Sequence, residues 1–141
     1  MKLRGKISAS MMCASLIDLK RDIHELEKAG VDYLHIDIMD GVFVPNLMLS
    51  NTFIKAVRSV TDLPLDMHLM IVQPENKIHW FDIRKGDYVS IHYESTSNVL
   101  GTLQMIEEAG GNPGVALSPA TPVESLSYLL ENLKLVNIMA V

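Results

Sequence analysis

The feature that most restricts the fold is a rhythm. Short segments of strand character alternate with segments of helical periodicity, five times over and then once more. Strands are predicted at 6–12, 33–39, 65–70, 88–92, 115–117 and 135–141. Helices are predicted from Asp18 to Ala29, from Ser50 or Asn51 to Val60, and from Pro74 to the Lys85-Gly86 stop. A fourth is marked by Val99, Leu103 and Ile106, and a fifth opens at Thr121-Pro122-Val123-Glu124, which has the form of a capping box with proline at the first helical position. Regular alternation with short connections implies a parallel sheet with right-handed crossovers.

Within the strands the pattern is unusual. In Tyr33-Leu34-His35-Ile36-Asp37-Ile38-Met39-Asp40-Gly41 the side chains alternate with period two. His35, Asp37 and Met39 therefore share one face, and Leu34, Ile36 and Ile38 the other. Leu65-Asp66-Met67-His68-Leu69-Met70 repeats the arrangement, with Asp66, His68 and Met70 together. Strands of an open doubly wound sheet usually read as continuous aliphatic runs. Alternation with polar residues gathered towards the strand C-termini suits the interior of a TIM (β/α)8 barrel, where active sites are built at that end. Such a barrel usually needs over roughly 200 residues. The 141 residues are therefore expected to form one barrel domain, residues 1–141, that supplies about the first six strands and is incomplete at its C-terminal end.

Composition narrows the classes of function. A formal net charge of −5 argues against the basic face that nucleic acid requires. Cys13 is the only cysteine, which excludes an intramolecular disulfide and points to a reducing, cytoplasmic setting. Lys2, Arg4 and Lys6 precede a mildly apolar run ending at Leu16, but Ser8, Ser10 and Ser15 interrupt it, and a signal peptide is not expected. No segment approaches the apolar length of a membrane span.

An isolated histidine on a strand is more often a satisfied core residue. His35, Asp37 and His68 on equivalent faces of successive strands make a different pattern. Two imidazoles and one carboxylate are a normal set of ligands for a divalent metal with positions left open for substrate, a reading favoured over a structural hydrogen-bond network. Met39, Met70 and Met139 occupy inward positions, either as core filler or as pocket wall. Ser10 is a substrate hydrogen-bond donor or a small inward residue. His92 shares a face with Ser90 and reads first as a buried structural histidine, second as a support to the site. Glu75 and Glu94 read as solvated.

Lys6-Ile7-Ser8-Ala9-Ser10, the run from His35 to Gly41 followed by Phe43-Val44-Pro45-Asn46, Asp66-Met67-His68-Leu69-Met70, Pro119-Ala120-Thr121-Pro122 and Ile138-Met139-Ala140-Val141 resemble the ribulose-phosphate 3-epimerases. The resemblance implies a barrel binding one divalent metal (zinc, iron, manganese or cobalt) through His35, Asp37, His68 and a second aspartate. It also implies acid/base catalysis by Asp37, substrate contact by Ser10 and His68, and a pocket lined by Met39, Met70 and Met139. The second aspartate and the phosphate-binding glycines of the family follow the sixth strand. Met11-Met12-Cys13 and Leu49-Ser50 depart from the pentulose enzymes and resemble the allulose-6-phosphate 3-epimerase branch.

The implied reaction inverts C3 of a ketose phosphate, D-ribulose 5-phosphate to D-xylulose 5-phosphate or D-allulose 6-phosphate to D-fructose 6-phosphate. Two carboxylates remove and return the proton on opposite faces, and a metal-stabilised enediolate lies between. A barrel lyase or aldolase and a truncated, non-catalytic barrel are the alternatives. A Schiff-base lysine at an inward position near a strand's C-terminal end would favour a lyase, and none of the predicted strands offers one. The expected partners are a sugar-phosphate substrate and further copies of the chain, with no nucleic acid and no membrane. Residues 1–141 alone are expected to be poorly soluble or partner-bound, and catalytically dead.

Overall fold

The computed structural model describes residues 5–48 and 50–139. Its sheet contains β1 (Ser8–Ser10), β2 (Tyr33–Asp40), β4 (Leu65–Met70), β5 (Tyr88–His92), β6 (Asn112–Leu117) and β7 (Leu135–Ile138), in that spatial order. Every neighbouring pair along this path is parallel. Sequential order is what single right-handed crossovers produce. A two-residue strand, β3 (Leu47–Met48), folds back antiparallel onto the end of β2. Side chains of both edge strands, Ser8 and Leu135, line one cavity with Tyr33, Asp66 and Tyr88, so the sheet curls as part of a (β/α)8 barrel.

Two faces with different chemistry result. Outward-pointing Leu34, Ile36, Ile38, Leu65, Met67, Leu69, Val89, Ile91, Val115 and Leu117 are buried. They meet the apolar stripes of α1 (Leu19–Ala29), α2 (Asn51–Arg58) and α3 (Val99–Glu108), whose Ile23, Ile54, Val57, Leu103 and Ile106 are equally inaccessible. Full burial of such a side chain stabilises by about 1.5–3 kcal/mol. This outer layer forms the main core and leaves the inward face to other residues.

Strand N-termini are tied by Asp87, which is fully buried. Its carboxylate accepts from the backbone N–H groups of Leu65 (2.8 Å) and Arg84 (2.7 Å). It also pairs with the guanidinium of Arg58, itself buried.

Four predicted elements differ. The first strand is three residues long and passes directly into a 3-10 turn, Met11–Cys13. Asp18 makes no capping hydrogen bond to α1; Asp22 instead accepts from the N–H of Ser15 at 2.8 Å. The predicted third helix is a pair of 3-10 turns, Pro74–Asn76 and Ile78–Trp80, because a stripe of Ile78 and Phe81 is too short to sustain a nucleated helix. The predicted fifth helix is likewise two 3-10 turns, Val123–Leu126 and Leu130–Asn132. Its supposed cap, Thr121, donates its hydroxyl to Glu94, so the capping box does not form. The readings that rested on Lys2, Arg4, Leu49, Ala140 and Val141 lie outside the described residues.

Candidate active site

The register of β2 against β4 builds the site. Pairing sets His35 opposite Asp66, Asp37 opposite His68, and Met39 opposite Met70. All six point inward, as the period-two pattern requires. The Nε2 of His35 lies 3.0 Å, and the Nδ1 of His68 3.1 Å, from the same oxygen of Asp37, Oδ1. Three ligand atoms, one from each residue, lie within 4.8 Å of one another. Asp37 is 8% exposed and His68 2%. The three residues singled out for a metal therefore converge on the inward face of β2 and β4, where His35 lies opposite Ser10, the last residue of β1.

Ser10 also reaches the cluster, donating from Oγ to Oδ2 of Asp37 at 3.3 Å. Met70 is buried beside the cluster, two residues beyond His68 on the same face. Met39 lines a groove with Leu16, Leu47, Met48 and Phe53. Met139 follows β7, half-buried, with its N–H directed at the carbonyl of Leu117 (3.4 Å). Three strands separate β7 from β2 in the sheet order.

Each histidine is held from behind. Nδ1 of His35 bonds Oδ2 of Asp66 at 2.7 Å, and that oxygen also accepts from Ser8 at 2.9 Å. Nε2 of His68 lies 2.8 Å from Nε2 of His92, with the rings stacked at 5.0 Å between centroids. His92 is buried, as expected, and lies in direct contact with the cluster. Glu94 is exposed, as expected, but its carboxylate is engaged: it accepts from the N–H of Ser118 at 3.0 Å and from the hydroxyl of Thr121, and faces Nδ1 of His92 at 3.3 Å. Asp66 was legible as an inward carboxylate but not as the partner of His35. The signal for Glu94 was only its position two residues beyond an inward histidine at a strand end.

Burial opposes charge on these groups, and the local pairs override it. The hydrogen bonds and charges of Asp37 and Asp66 push His35 up to about 10 despite its desolvation. Desolvation would raise Asp37, but hydrogen bonds from His35 and His68 hold it far below the usual carboxylate range. Burial, helped by the nearby His68, lowers His92. A group raised on folding stabilises fully below its unfolded value and loses that contribution as pH rises through its folded value. The His35 contribution should therefore be complete near pH 6 and be lost on approach to pH 10. At 1.36 kcal/mol per unit, and discounted for coupling to two carboxylates, the metal-free protein should lose about 2–4 kcal/mol across that window relative to His35→Asn. Urea midpoints of both proteins at pH 6 and 9.5 check this, and parallel pH profiles would contradict it.

The loop that follows β2 is fixed by a further carboxylate. Asp40 accepts from the N–H groups of Val42, Phe43 and Val72, each at 2.9 Å. Gly41 (φ 74°) makes the tight turn this requires. Phe43 is thereby brought against the ring of His92, centroids 4.7 Å apart. Asp40→Ala strands three donors, one charge-assisted acceptor being worth about 1.5–3 kcal/mol. A loss of about 2–3 kcal/mol in unfolding free energy is expected in chemical denaturation, and a loss below about 0.5 kcal/mol would show that the loop holds itself.

The donor set fits a divalent cation. Ligating imidazoles characteristically donate their second nitrogen to a carboxylate or other acceptor that fixes the ring. His35 does so on Asp66, and His68 turns its second nitrogen to His92. His35 and His68 thus present one nitrogen each to Asp37 with the other engaged.

A curled run of parallel strands with a His–Asp–His cluster on its inward face defines a (β/α)-barrel protein with a site suited to a divalent metal. Residues 6–141 match the model of the "Ribulose-phosphate 3 epimerase family", and the chain belongs to that family. It is similar to the ribulose-phosphate 3-epimerase of Bacillus subtilis, 42% identical over 136 residues, covering 96% of this chain and 63% of that protein. Similarity to the chloroplastic ribulose-5-phosphate-3-epimerase of Arabidopsis thaliana is 42% over 137 residues, 96% of this chain and 49% of that one. With the ribulose-phosphate 3-epimerase of Methanocaldococcus jannaschii it is 36% over 136 residues, 96% and 57%. The chain thus spans about half to two-thirds of the length of these curated relatives.

Proposed function

We propose that this chain carries the metal-binding and one of the acid/base groups of a ketose-phosphate 3-epimerase, in one barrel domain over residues 1–141. The observation that carries the reading is the convergence of His35, Asp37 and His68 on a curled sheet of this family. Asp37 takes or returns the proton at C3. His35 and His68 hold it ionised, and Ser10 orients its second oxygen. His35, Asp37 and His68 would hold a divalent cation, which when bound supplies positive charge to stabilise an enediolate. Met70 and Met39 give the pocket a polarisable wall that does not compete for protons. The names of the relatives support ribulose 5-phosphate as substrate, whereas Met11-Met12-Cys13 supports allulose 6-phosphate.

No helix among the described residues is long and apolar enough to cross a membrane. A cytoplasmic setting rests on the single cysteine, and self-association is proposed alongside it. The test is exchange of the C3 proton in deuterated water with each sugar phosphate, using full-length protein with and without chelator. Metal-dependent exchange on one substrate supports the reading. Absence of exchange on both, with metal bound, would overturn it.

A further inference from the structure

We propose that His92 and Glu94 are positioning residues that fix which ring nitrogen of His68 faces the site; this rests on the metal reading above. The geometry is a linear relay running from β4 through β5 to the loop after β6. Nδ1 of His68 faces Asp37 at 3.1 Å, its Nε2 meets Nε2 of His92 at 2.8 Å, and Nδ1 of His92 faces Glu94 at 3.3 Å. Two imidazole nitrogens at hydrogen-bond distance require one N–H and one lone pair, and nothing in the His68–His92 contact itself decides which is which.

Glu94 decides it. An ionised carboxylate only accepts, so it places a proton on Nδ1 of His92. Nε2 of a neutral His92 is then the acceptor, and Nε2 of His68 must donate. With Nε2 of His68 keeping its proton, Nδ1, which donates to Asp37 in the metal-free protein, is the nitrogen that gives up its proton to admit a cation.

The far end of the relay is built to keep Glu94 in place. Its Oε1 accepts from the N–H of Ser118 at 3.0 Å and from the hydroxyl of Thr121. The turn Tyr93–Ser95 returns it to the site, closed by Ser95 donating to the carbonyl of His92 at 2.7 Å. His92 is 3% exposed, so water does not substitute for either partner. Phe43 packs against its ring at 4.7 Å between centroids and leaves it little freedom to turn.

Glu94→Gln reverses the relay while keeping shape. The N–H of Ser118 can only donate and therefore claims the amide oxygen, which turns the amide NH₂ group towards Nδ1 of His92. His92 then carries its proton on Nε2 and donates to His68, whose single proton is thereby confined to Nδ1, against Asp37, and blocks the cation. Residues supporting a metal ligand typically cost about 10–100-fold in metal affinity when changed. Zinc affinity by chelator competition should fall by about that factor in E94Q.

Nitrogen-15 NMR of the full-length wild-type protein reads the tautomers directly and needs no variant. His92 should carry a proton on Nδ1 with and without zinc, and zinc-loaded His68 should carry its proton on Nε2. An unprotonated Nδ1 on His92, or zinc affinity in E94Q within twofold of wild type, would overturn the relay. Wild-type protein that binds no zinc, yet shows the proton on Nδ1 of His92, would instead sink the metal reading and leave the relay standing.

Discussion

Asp37→Asn is expected to slow exchange of the C3 proton by about 10²–10⁴-fold, the contribution of a positioned acid/base group. The substitution keeps the volume of the side chain and removes its charge. Asn cannot accept a proton from carbon, and its amide nitrogen would have to face an imidazole N–H or Ser10 in place of an acceptor. The oxygen at stake is the one that both His35 and His68 approach, at 3.0 and 3.1 Å. Rates compared at saturating metal, with bound metal quantified, separate loss of the base from loss of the cation. A variant that folds, holds metal and exchanges at a near-normal rate would show that Asp37 is structural.

Asp87→Ala should cost about 3–5 kcal/mol of folding stability, the usual consequence of leaving one member of a buried ion pair alone. Arg58 would keep a buried charge with only the more exposed Asp82, 4.0 Å away, as a carboxylate partner, and the N–H groups of Leu65 and Arg84 would lose their acceptor. Asp87→Asn, which retains one acceptor oxygen, should fall between the two. Urea unfolding measures both, and a cost below about 1 kcal/mol for the alanine variant would contradict the account. Asp87 sits at the N-terminal end of β5 and His92 at its C-terminal end, so metal affinity per folded molecule should change little.

Period-two alternation in two strands was enough to place six inward residues, because a strand's side-chain directions follow from its backbone alone. His35, Asp37 and Met39 face inward beside Asp66, His68 and Met70, and the register that joins them follows from parallel pairing of consecutive strands. Long-range competition was invisible. Thr121 and Glu124 carry a local pattern for a helix start, but the hydroxyl of Thr121 serves a carboxylate twenty-seven residues earlier in the chain. The same contact holds the exposed Glu94 beside His92. Local sequence also could not show that β2 is followed by the short return strand Leu47–Met48, whose two residues pair with Asp40 and Met39.

Strand β2 serves two masters through one alternation. Its odd-numbered positions from Tyr33 to Met39 build the site, and the even-numbered Leu34, Ile36 and Ile38 are buried beneath the helices. Point substitutions can change one face while sparing the other. A one-residue insertion or deletion within the strand cannot: it would turn three aliphatic side chains into the pocket and drive an imidazole and a carboxylate under α1 and α2. The chemistry and the fold share a single phase, so this strand tolerates an exchange of residues on one face better than any change in its length.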